Sequence, residues 1–426
     1  MRHLIVFCHL RWDFVLQRPQ HLLTRLAQTY RVLVVEEPVP GDSPSLQIST
    51  PIAGVEVLRP HLPGGGNGFA DEHFAGMQEL LHSHLRRNGI DDYVVWFYTP
   101  MAWPMLEGLR PKAVVYDCMD ELSSFKHAPP QLRQREQELL DRADVVFTGG
   151  PSLYEAKRDR HPYVLCLPSA VDANHYSRER ALTDAEGARR AAEVQGAIPT
   201  PRLGFFGVID ERLDLDLVDH VAAANPSWHL VMVGPVVKIS PDDLPRRPNI
   251  HWLGQQSYAL LPQLVATWDV CLLPFALNES TRFISPTKTL EYMAAEKPVV
   301  STPVRDVSVL YGQDVRIAEG KEAFVSACHD LLAEGAEDRE RRCRKMAATV
   351  ALFSWDNTAD TIRRAIDEAV ARAGSRNANR SEDAGGVRDI DRMSGVAGGT
   401  AGAPAAEETV RLADTVSGAG VGTTAG

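Results

Sequence analysis

A short stretch that begins at Ser285, Ser-Pro-Thr-Lys-Thr-Leu-Glu, joins residues that start a helix to a lysine and a glutamate one turn apart. Ser285, Pro286 and Thr287 are typical of a helix N-terminus, where free N–H groups and a partial positive charge attract phosphate. Lys288 adds a formal charge, and Glu291 lies on nearly the same face, where its carboxylate can accept two hydrogen bonds from a ribose diol. The spacing therefore suits a nucleoside diphosphate site. The alternative is an exposed i,i+3 ion pair that binds nothing.

The elements that must position these residues alternate along the chain. Short runs of Val, Ile, Leu and Phe, such as residues 4–8, 93–98, 203–208 and 270–275, are separated by amphipathic stretches of helical periodicity. Such runs are typical of parallel strands buried on both faces, and right-handed crossovers then give doubly wound units. Two series of runs predict an α/β chain with two Rossmann-like domains, whose ligands bind at the carboxyl ends of the strands.

The composition limits the classes of partner. The 426 residues carry a formal net charge of −11, which argues against nucleic acid because a phosphate backbone needs clustered Lys and Arg. No apolar stretch approaches the roughly 20 residues that span a bilayer, and the first residues do not resemble a signal peptide, so a cytoplasmic protein is expected. The six cysteines form no Cys-x-x-Cys pair and no ligand spacing with His, so no metal site is expected.

Changes in composition mark the domain boundaries. Residues 181–201 carry small, charged and proline residues without a sustained apolar stripe, and we place the interdomain linker there. It separates a first domain of residues 1–180 from a second of residues 202–350, after which residues 351–372 form a helix that crosses back to the first domain. Residues 373–426 contain no aromatic side chain and are rich in Gly, Ala, Ser and Thr, which predicts a disordered tail.

Several motifs together resemble those of glycosyltransferases with the GT-B fold, in which two Rossmann-like domains face a cleft. The subgroup that they resemble is the bacterial family 4-type enzymes with a glycosyltransferase family 1 domain. The nearest pattern is that of transferases that build teichuronic acid and other cell-envelope polysaccharides. The motifs are Gly-Phe-Phe-Gly-Val-Ile-Asp from Gly204, Trp-His-Leu-Val-Met-Val-Gly from Trp228, Asn-Ile-His-Trp-Leu-Gly from Asn249, the stretch from Ser285 to Val300, Tyr-Asp-Cys-Met-Asp-Glu from Tyr116 and Leu-Pro-Ser-Ala-Val-Asp from Leu167.

The resemblance implies a nucleotide-sugar donor held by the second domain and an acceptor held by the first. It implies that Glu291 binds the donor ribose and that the helix start before it approaches the diphosphate. Arg212 is the basic residue that the first loop of the second domain offers, unless it is a solvated loop charge. Enzymes of this fold stabilise the leaving diphosphate with basic side chains and helix dipoles, so neither a metal nor another cofactor is expected. The donor-binding candidates are Gly207, Arg212, Ser285, Thr287, Lys288 and Glu291.

Carboxylates that follow the predicted strand at residues 113–116 are candidates for the acceptor side. An inverting transferase needs a general base for the acceptor hydroxyl, and we favour Asp120 over Asp117 for this role. Either carboxylate could instead cap a helix, and a retaining enzyme needs no such base, so the stereochemistry stays open. The candidates for the cleft or the acceptor site are His9, Arg18, Asp117 and His127.

The chain departs from the family pattern in its donor site. Many relatives carry a glutamate eight positions before the ribose glutamate, whereas this chain has Phe283 there and only Glu279 nearby. The lysine expected shortly after Arg212 is missing, and Glu296 stands where a helix-ending glycine is usual. These departures concern the catalytic details more than the fold.

The favoured function is transfer of a hexosyl-type sugar from a nucleotide-diphosphate sugar to a glycan or lipid-linked acceptor in cell-envelope polysaccharide synthesis. A lipid-linked acceptor would bring the protein into peripheral contact with the inner leaflet of the cell membrane. Two alternatives stay open. One is a non-catalytic nucleotide-sugar-binding or scaffold protein, which is favoured by the presence of Phe283 where many relatives carry a glutamate. The other is a nucleotide-sugar epimerase of the same fold.

Overall fold

The computed structural model describes residues 1–64, 68–125 and 128–385, with side chains as far as residue 376. The strands are β1 (His3–Cys8), β2 (Arg31–Glu36), β3 (Val39–Pro40), β4 (Ser45–Ile52), β5 (Val55–Leu62), β6 (Tyr93–Phe97), β7 (Val114–Cys118), β8 (Val145–Thr148), β9 (Val164–Cys166), β10 (Arg202–Phe206), β11 (His229–Val233), β12 (Ile250–Trp252), β13 (Val270–Leu273), β14 (Val299–Ser301) and β15 (Arg316–Ile317). The helices are α1 (Arg18–Leu26), α2 (Phe74–Arg87), α3 (Leu132–Arg142), α4 (Pro151–Lys157), α5 (Ala173–Tyr176), α6 (Arg178–Thr183), α7 (Ala185–Gln195), α8 (Leu215–Ala224), α9 (Leu261–Ala266), α10 (Lys288–Ala294), α11 (Arg305–Tyr311), α12 (Lys321–Leu332), α13 (Ala336–Leu352) and α14 (Trp355–Gly385).

The first domain is built on a sheet with the strand order β3-β5-β2-β1-β6-β7-β8-β9. Neighbours on this path are parallel, and β4 pairs with β5 in the antiparallel sense. From β1 the chain moves first to β2 and later to β6 on the other side. The loops that follow β1 and β6 therefore open at a switch point on the carboxyl edge, where α/β sheets bind ligands.

The second domain is built on a parallel sheet with the order β12-β11-β10-β13-β14-β15. Its switch point lies between β10 and β13. The loop after β10 contains Arg212, and the segment between β13 and α10 contains Ser285. The structure thus confirms the predicted architecture of two doubly wound parallel-sheet domains.

The segment predicted as a linker is mostly helical. α6 and α7 lie within or next to it, and the side chains of Ser177 and Asp184 cap their N-termini. At the end of α7, the buried Gln195 donates a hydrogen bond to the Leu264 carbonyl at 2.9 Å. The two short helices both pack against α9 of the second domain, although Gln195 is the only large residue among those that they bury.

The last helix, α14, crosses back onto the first domain. Trp355, Ile362 and Ile366 are fully buried in the first-domain core, and Trp355 stacks on His21 with a centroid distance of 4.8 Å. The helix continues to Gly385, past residue 372, where we expected it to end. Residues 386–426 of the predicted tail lie outside the described residues.

The two domains touch directly beside the donor segment. The backbone N–H of Ser152, in the first domain, donates to the buried Asp306 carboxylate at 3.0 Å. The Ser169 hydroxyl donates to the Ser285 carbonyl at 3.2 Å. At Gly150 a Cβ atom would collide with Asp306 and press on Ser285. This close approach brings the carboxyl edges of the two sheets together.

Candidate active site

A cavity of about 350 Å³ lies between the carboxyl edges of the two sheets. Residues of both domains line it, and every donor-binding candidate is among them. From the first domain come Asp120 and the segment 14–18, which ends at Arg18. The structure therefore brings the predicted donor and acceptor sides together in one cavity. The donor-binding candidates that line it are Gly207, Arg212, Ser285, Thr287, Lys288 and Glu291.

Lys288 and Glu291 lie together on the donor side without forming the ion pair that was the alternative prediction. No side-chain N···O contact within 4.0 Å joins them in the part of the chain that the structure describes. Burial lowers the pKa of Lys288 to about 8, with the Arg212 charge adding to the effect and Glu291 opposing it. Burial raises the pKa of Glu291 to about 7 against the charge of Lys288. Both groups can therefore exchange protons near neutral pH, a property typical of functional sites.

Gly207 makes room for the lysine. It follows β10 with a φ of 146°, and a Cβ atom there would collide with Cε of Lys288. The aliphatic stem of Lys288 therefore crosses the backbone at the end of β10, and its Nζ lies 5.9 Å from the centre of the Phe205 ring. Only glycine provides both the backbone conformation and the space.

The hydroxyls of Ser285 and Thr287 do not act as the predicted helix caps. Thr287 occupies the N-cap position of α10 in helical conformation, and no side chain caps this seven-residue helix. Ser285 instead contacts the first domain through its carbonyl, which accepts the hydrogen bond from Ser169. Both residues line the cavity, so they remain candidates for contact with a ligand.

Arg212 is a fixed side chain and not a solvated loop charge. Its guanidinium binds the buried Asp210 carboxylate in a bidentate manner, with Nε–Oδ1 at 3.0 Å and Nη2–Oδ2 at 2.8 Å. The other side of the guanidinium lies 5.9 Å from the centre of the Phe125 ring of the first domain. Asp210 balances much of the charge, but it holds the guanidinium at the wall of the cavity.

Asp120 lies across the cavity from these basic residues. Burial raises its pKa to about 6, while the positive charges of Arg212, Lys238 and Arg18 oppose the rise. A carboxylate of this pKa is ionised at neutral pH and close enough to it to accept a proton efficiently. Its position and its pKa both suit a general base.

The prediction that Asp117 faces the cleft is wrong. β7 continues to Cys118, so Asp117 lies inside the strand and is fully buried. It pairs with Arg18, whose Nε lies 3.0 Å from Oδ2, and Arg18 Nη1 also donates to the Leu167 carbonyl at 2.9 Å. The pair fixes α1 against β7 and β9. Arg18 lines the cavity, but these two bonds occupy most of its guanidinium.

His9, another candidate on the acceptor side, does not reach the cavity. His9 is half-buried beneath it, and burial together with the charge of Lys238 lowers its pKa to about 4, so it is neutral at physiological pH. It is absent from the lining of the cavity. His127 lies outside the described residues.

The departures from the family pattern have structural counterparts. Phe283 packs against the core of the first domain, so the second domain has an interdomain contact where many relatives have a carboxylate. Glu279 does not replace that carboxylate, because its side chain is 78% exposed and does not line the cavity. Glu296 ends its helix with a φ of 59°, the left-handed conformation that a glycine usually takes.

Sequence reasoning missed Lys238. This residue follows β11 with a φ of 63°, which is uncommon for a side chain other than glycine. Its Nζ lies 3.7 Å from Oε1 of Glu211 and 4.8 Å from the centre of the Phe125 ring. Lys238 thus supplies a second cation near Arg212 from a different loop. The unusual backbone conformation depends on tertiary contacts, so no local signal marks it.

Comparison with known proteins defines the class. Residues 200–334 match the family model described as Glycosyl transferases group 1. Sucrose-phosphate synthase from Thermosynechococcus elongatus superposes with a TM-score of 0.65 at 14% identity, over 87% of this chain and all of that one. Anabaena HepE in complex with UDP superposes with a TM-score of 0.63 at 15% identity, over 86% of this chain and all of that one. The chain has the GT-B fold, and residues 200–334 of its second domain are similar to the Glycosyl transferases group 1 family.

Curated relatives agree with this class. The chain is 25% identical over 277 residues to the putative teichuronic acid biosynthesis glycosyltransferase TuaH of Bacillus subtilis, a match that covers 59% of this chain and 67% of TuaH. It is 27% identical over 323 residues to D-inositol 3-phosphate glycosyltransferase of Mycobacterium tuberculosis, covering 70% of this chain and 64% of that protein. The matches thus span about two thirds of the length of these relatives.

Across residues 1–64, 68–125 and 128–385, no three His, Cys, Asp or Glu side chains are grouped so that they could hold a metal ion. Asp214 caps α8 by accepting a hydrogen bond from the Leu217 N–H at 2.8 Å. Among the same residues, none of the helices combines the length and the apolarity that a membrane crossing requires.

Proposed function

We propose that the protein transfers a hexosyl-type sugar from a nucleotide-diphosphate sugar to a glycan or lipid-linked acceptor. The observation that carries the proposal is the composition of one cavity. Lys288 and Glu291 of the second domain face it, and Asp120 of the first domain lies across from them. A diphosphate, a ribose and an acceptor hydroxyl each find a suitable partner there.

The proposed chemistry assigns a role to each of these groups. The Glu291 carboxylate accepts hydrogen bonds from the ribose diol, and Lys288 with Arg212 stabilises the diphosphate. The acceptor oxygen attacks the anomeric carbon of the sugar, and the bond from that carbon to the phosphate oxygen breaks. The nucleoside diphosphate leaves with the electron pair, and Asp120 takes the proton of the acceptor hydroxyl. The basic side chains offset the charge of the leaving group, so the proposal needs neither a cofactor nor a metal ion.

The biological setting is the less specific part of the proposal. The similarity to TuaH, named for teichuronic acid biosynthesis, supports a role in cell-envelope polysaccharide synthesis. Such a role places the protein in the cytoplasm, in peripheral contact with the inner face of the membrane when the acceptor is lipid-linked. The bound UDP of HepE and the UDP-2-fluoro glucose of an Escherichia coli neighbour favour uridine nucleotides as the first donors to test.

The test replaces Asp120 and measures donor binding and turnover separately. Asp120→Asn should retain binding of the nucleotide sugar and lose most of the transfer activity, because the amide cannot accept the proton. Asp242→Asn is the matched control, since Asp242 is an exposed aspartate in the loop after β11 and does not line the cavity. Equal turnover in Asp120→Asn and the wild type would contradict the role of Asp120 as base.

The packing of Phe283 supports the alternative of a nucleotide-sugar-binding protein that has no transferase activity. Because this residue replaces a carboxylate with an interdomain packing contact, a nucleotide-sugar-binding protein without turnover remains a second candidate. Such a protein would bind the sugar nucleotide and release no nucleoside diphosphate with any acceptor. An epimerase would instead convert the sugar nucleotide with no acceptor present.

A further inference from the structure

Three consecutive apolar residues stand in the loop between β1 and α1, at the mouth of the cavity. Phe14 is 49% exposed and Leu16 is 39% exposed, and Val15 between them is half-buried. All three line the same cavity as Asp120. A single exposed leucine needs no explanation, but neighbouring large apolar side chains that line a functional cavity indicate a binding surface. We call residues 14–16 the apolar rim.

Hydrogen bonds hold the backbone of this loop in its exposed conformation. The fully buried Glu36 accepts a bond from the Trp12 N–H at 2.8 Å. The buried Gln20 donates to the carbonyls of Trp12 and Val15 at 3.1 and 3.0 Å, and its side-chain oxygen accepts from the Gln17 N–H at 3.0 Å. The apolar rim is therefore positioned in advance and does not fold back onto the first domain.

The surroundings of the apolar rim decide what it binds. Tyr258 and Leu261 of the second domain line the same cavity, so an occupant meets apolar side chains of both domains. The donor groups lie deeper, at Lys288 and Glu291, and a sugar nucleotide has no apolar chain to place here. An apolar group attached to the acceptor would run from Asp120 past the rim to the surface.

The described end of the chain points away from this mouth. α14 carries Arg372 and Arg376 to Asp144, which precedes β8 at the amino edge of the first sheet. The cavity lies at the opposite, carboxyl edge. The described part of the chain therefore ends on the side of the first domain that lies opposite the apolar rim.

We propose that Phe14, Val15 and Leu16 bind the hydrocarbon chain of an amphiphilic acceptor, whose sugar hydroxyl then reaches Asp120. This inference rests on the proposed transferase function and narrows its acceptor from a glycan or lipid-linked molecule to the lipid-linked class. The hydrocarbon chain of the acceptor determines the specificity, because each methylene that it buries contributes a roughly fourfold gain in affinity.

The test measures binding of methyl, hexyl and octyl β-glucosides below their micelle concentrations, by calorimetry on the full chain saturated with the nucleoside diphosphate that it binds. We expect octyl glucoside to bind at least about tenfold more tightly than methyl glucoside, a gain that needs only about two buried methylenes. The double variant Phe14→Ser/Leu16→Ser should lose this gain. Ile48→Ser/Leu277→Ser removes two apolar residues outside the cavity that are at least 45% exposed, and this variant should keep the gain.

Several outcomes would overturn the inference. One is equal binding of octyl and methyl glucoside, and another is an equal loss of the gain in both double variants. A third is a wild-type dimer that the rim variant converts to a monomer, which would make the rim a contact between two copies. The nucleoside diphosphate itself separates this inference from the proposed function. If one of these outcomes occurs while all variants still bind the nucleoside diphosphate, only the acceptor assignment fails. A wild type that binds no nucleotide contradicts the proposed function.

Discussion

The ammonium group of Lys238 lies 4.8 Å from the centre of the Phe125 ring, so a cation of the second domain rests on an aromatic side chain of the first. Arg212 approaches the same ring at 5.9 Å. Both charges act on Asp120, whose pKa they lower against the effect of burial. The electrostatic environment of the candidate base is therefore completed only when the two domains meet.

Replacing Lys238 should change the pH profile of the enzyme. Asp120 must be ionised to act as a base, so kcat at saturating donor, where protonation of Glu291 no longer limits binding, should fall as the pH drops through about 6. Lys238→Met removes a positive charge and should raise the pKa of Asp120, moving this acid limb upward by roughly half a pH unit. Lys238→Arg keeps the charge and should leave the limb in place. If the acid limb stays in place in Lys238→Met, the charge of Lys238 does not influence the pKa of Asp120.

The affinity for a nucleoside diphosphate should have a bell-shaped pH dependence. Lys288 carries its charge below about pH 8, and Glu291 is ionised above about pH 7. Binding should therefore be tightest between these values and weaken on either side. Calorimetric titrations should show that Glu291→Gln removes the acid limb and that Lys288→Met removes the alkaline limb. Each variant should also bind about 10- to 100-fold more weakly at the optimum, as expected for a lost bond to a charged group. If the affinity of the wild type does not change with pH, the ionisation of Lys288 and Glu291 does not control diphosphate binding.

The contact between Gly207 and Lys288 can be tested by adding one methyl group. Gly207→Ala forces a Cβ atom against Cε of Lys288 and should reduce diphosphate affinity at least about tenfold, because the ammonium group is displaced. Gly254→Ala is the matched control, since Gly254 also has a positive φ but no atom within 4 Å of an added Cβ. It should cost roughly 1 kcal/mol of stability and leave the affinity unchanged. Equal affinities in the two variants would show that Lys288 does not need its place beside Gly207.

The interdomain contact at Gly150 should govern turnover more than donor binding. Gly150→Ala places a Cβ atom against Asp306 and Ser285 and should hold the two domains apart. We expect kcat to fall at least about tenfold, because misplaced groups lose much of their effective concentration. Diphosphate affinity should change little, since the donor groups belong to the second domain. Glu155→Ala removes only the exposed pair with Arg305 and should have little effect. A similar loss in both variants would contradict the special role of Gly150.

The parallel strands were predictable because continuous apolar runs are typical of a parallel sheet that helices cover on both faces. β4 was not predicted, because it lies at the edge of the sheet with most of its side chains exposed and so lacks a buried face. α6 and α7 were missed for a related reason. Their buried positions hold two alanines, a glycine and a glutamine, which contribute little to an apolar stripe.

The donor segment from Ser285 to Glu291 could be singled out in the sequence because its residues are close together along the chain. Asp117 was misplaced because β7 is longer than its apolar run, which turns an expected loop carboxylate into a buried strand residue. Lys238 and Phe125 lie more than a hundred positions apart and meet only through the packing of two domains. Contacts of this kind depend on tertiary structure and leave no mark on local sequence.

Thermal unfolding with a panel of nucleoside diphosphates tests whether Glu291 holds the ribose of a nucleotide donor. One diphosphate should stabilise the wild type, by about 2.7 kcal/mol at a hundredfold excess over its Kd, and the shift should vanish in Glu291→Ala. Glu279→Ala, which removes an exposed glutamate of the same domain outside the cavity, should retain it. If no diphosphate stabilises the wild type, or if Glu291→Ala is stabilised as strongly as Glu279→Ala, the account of the donor site is wrong.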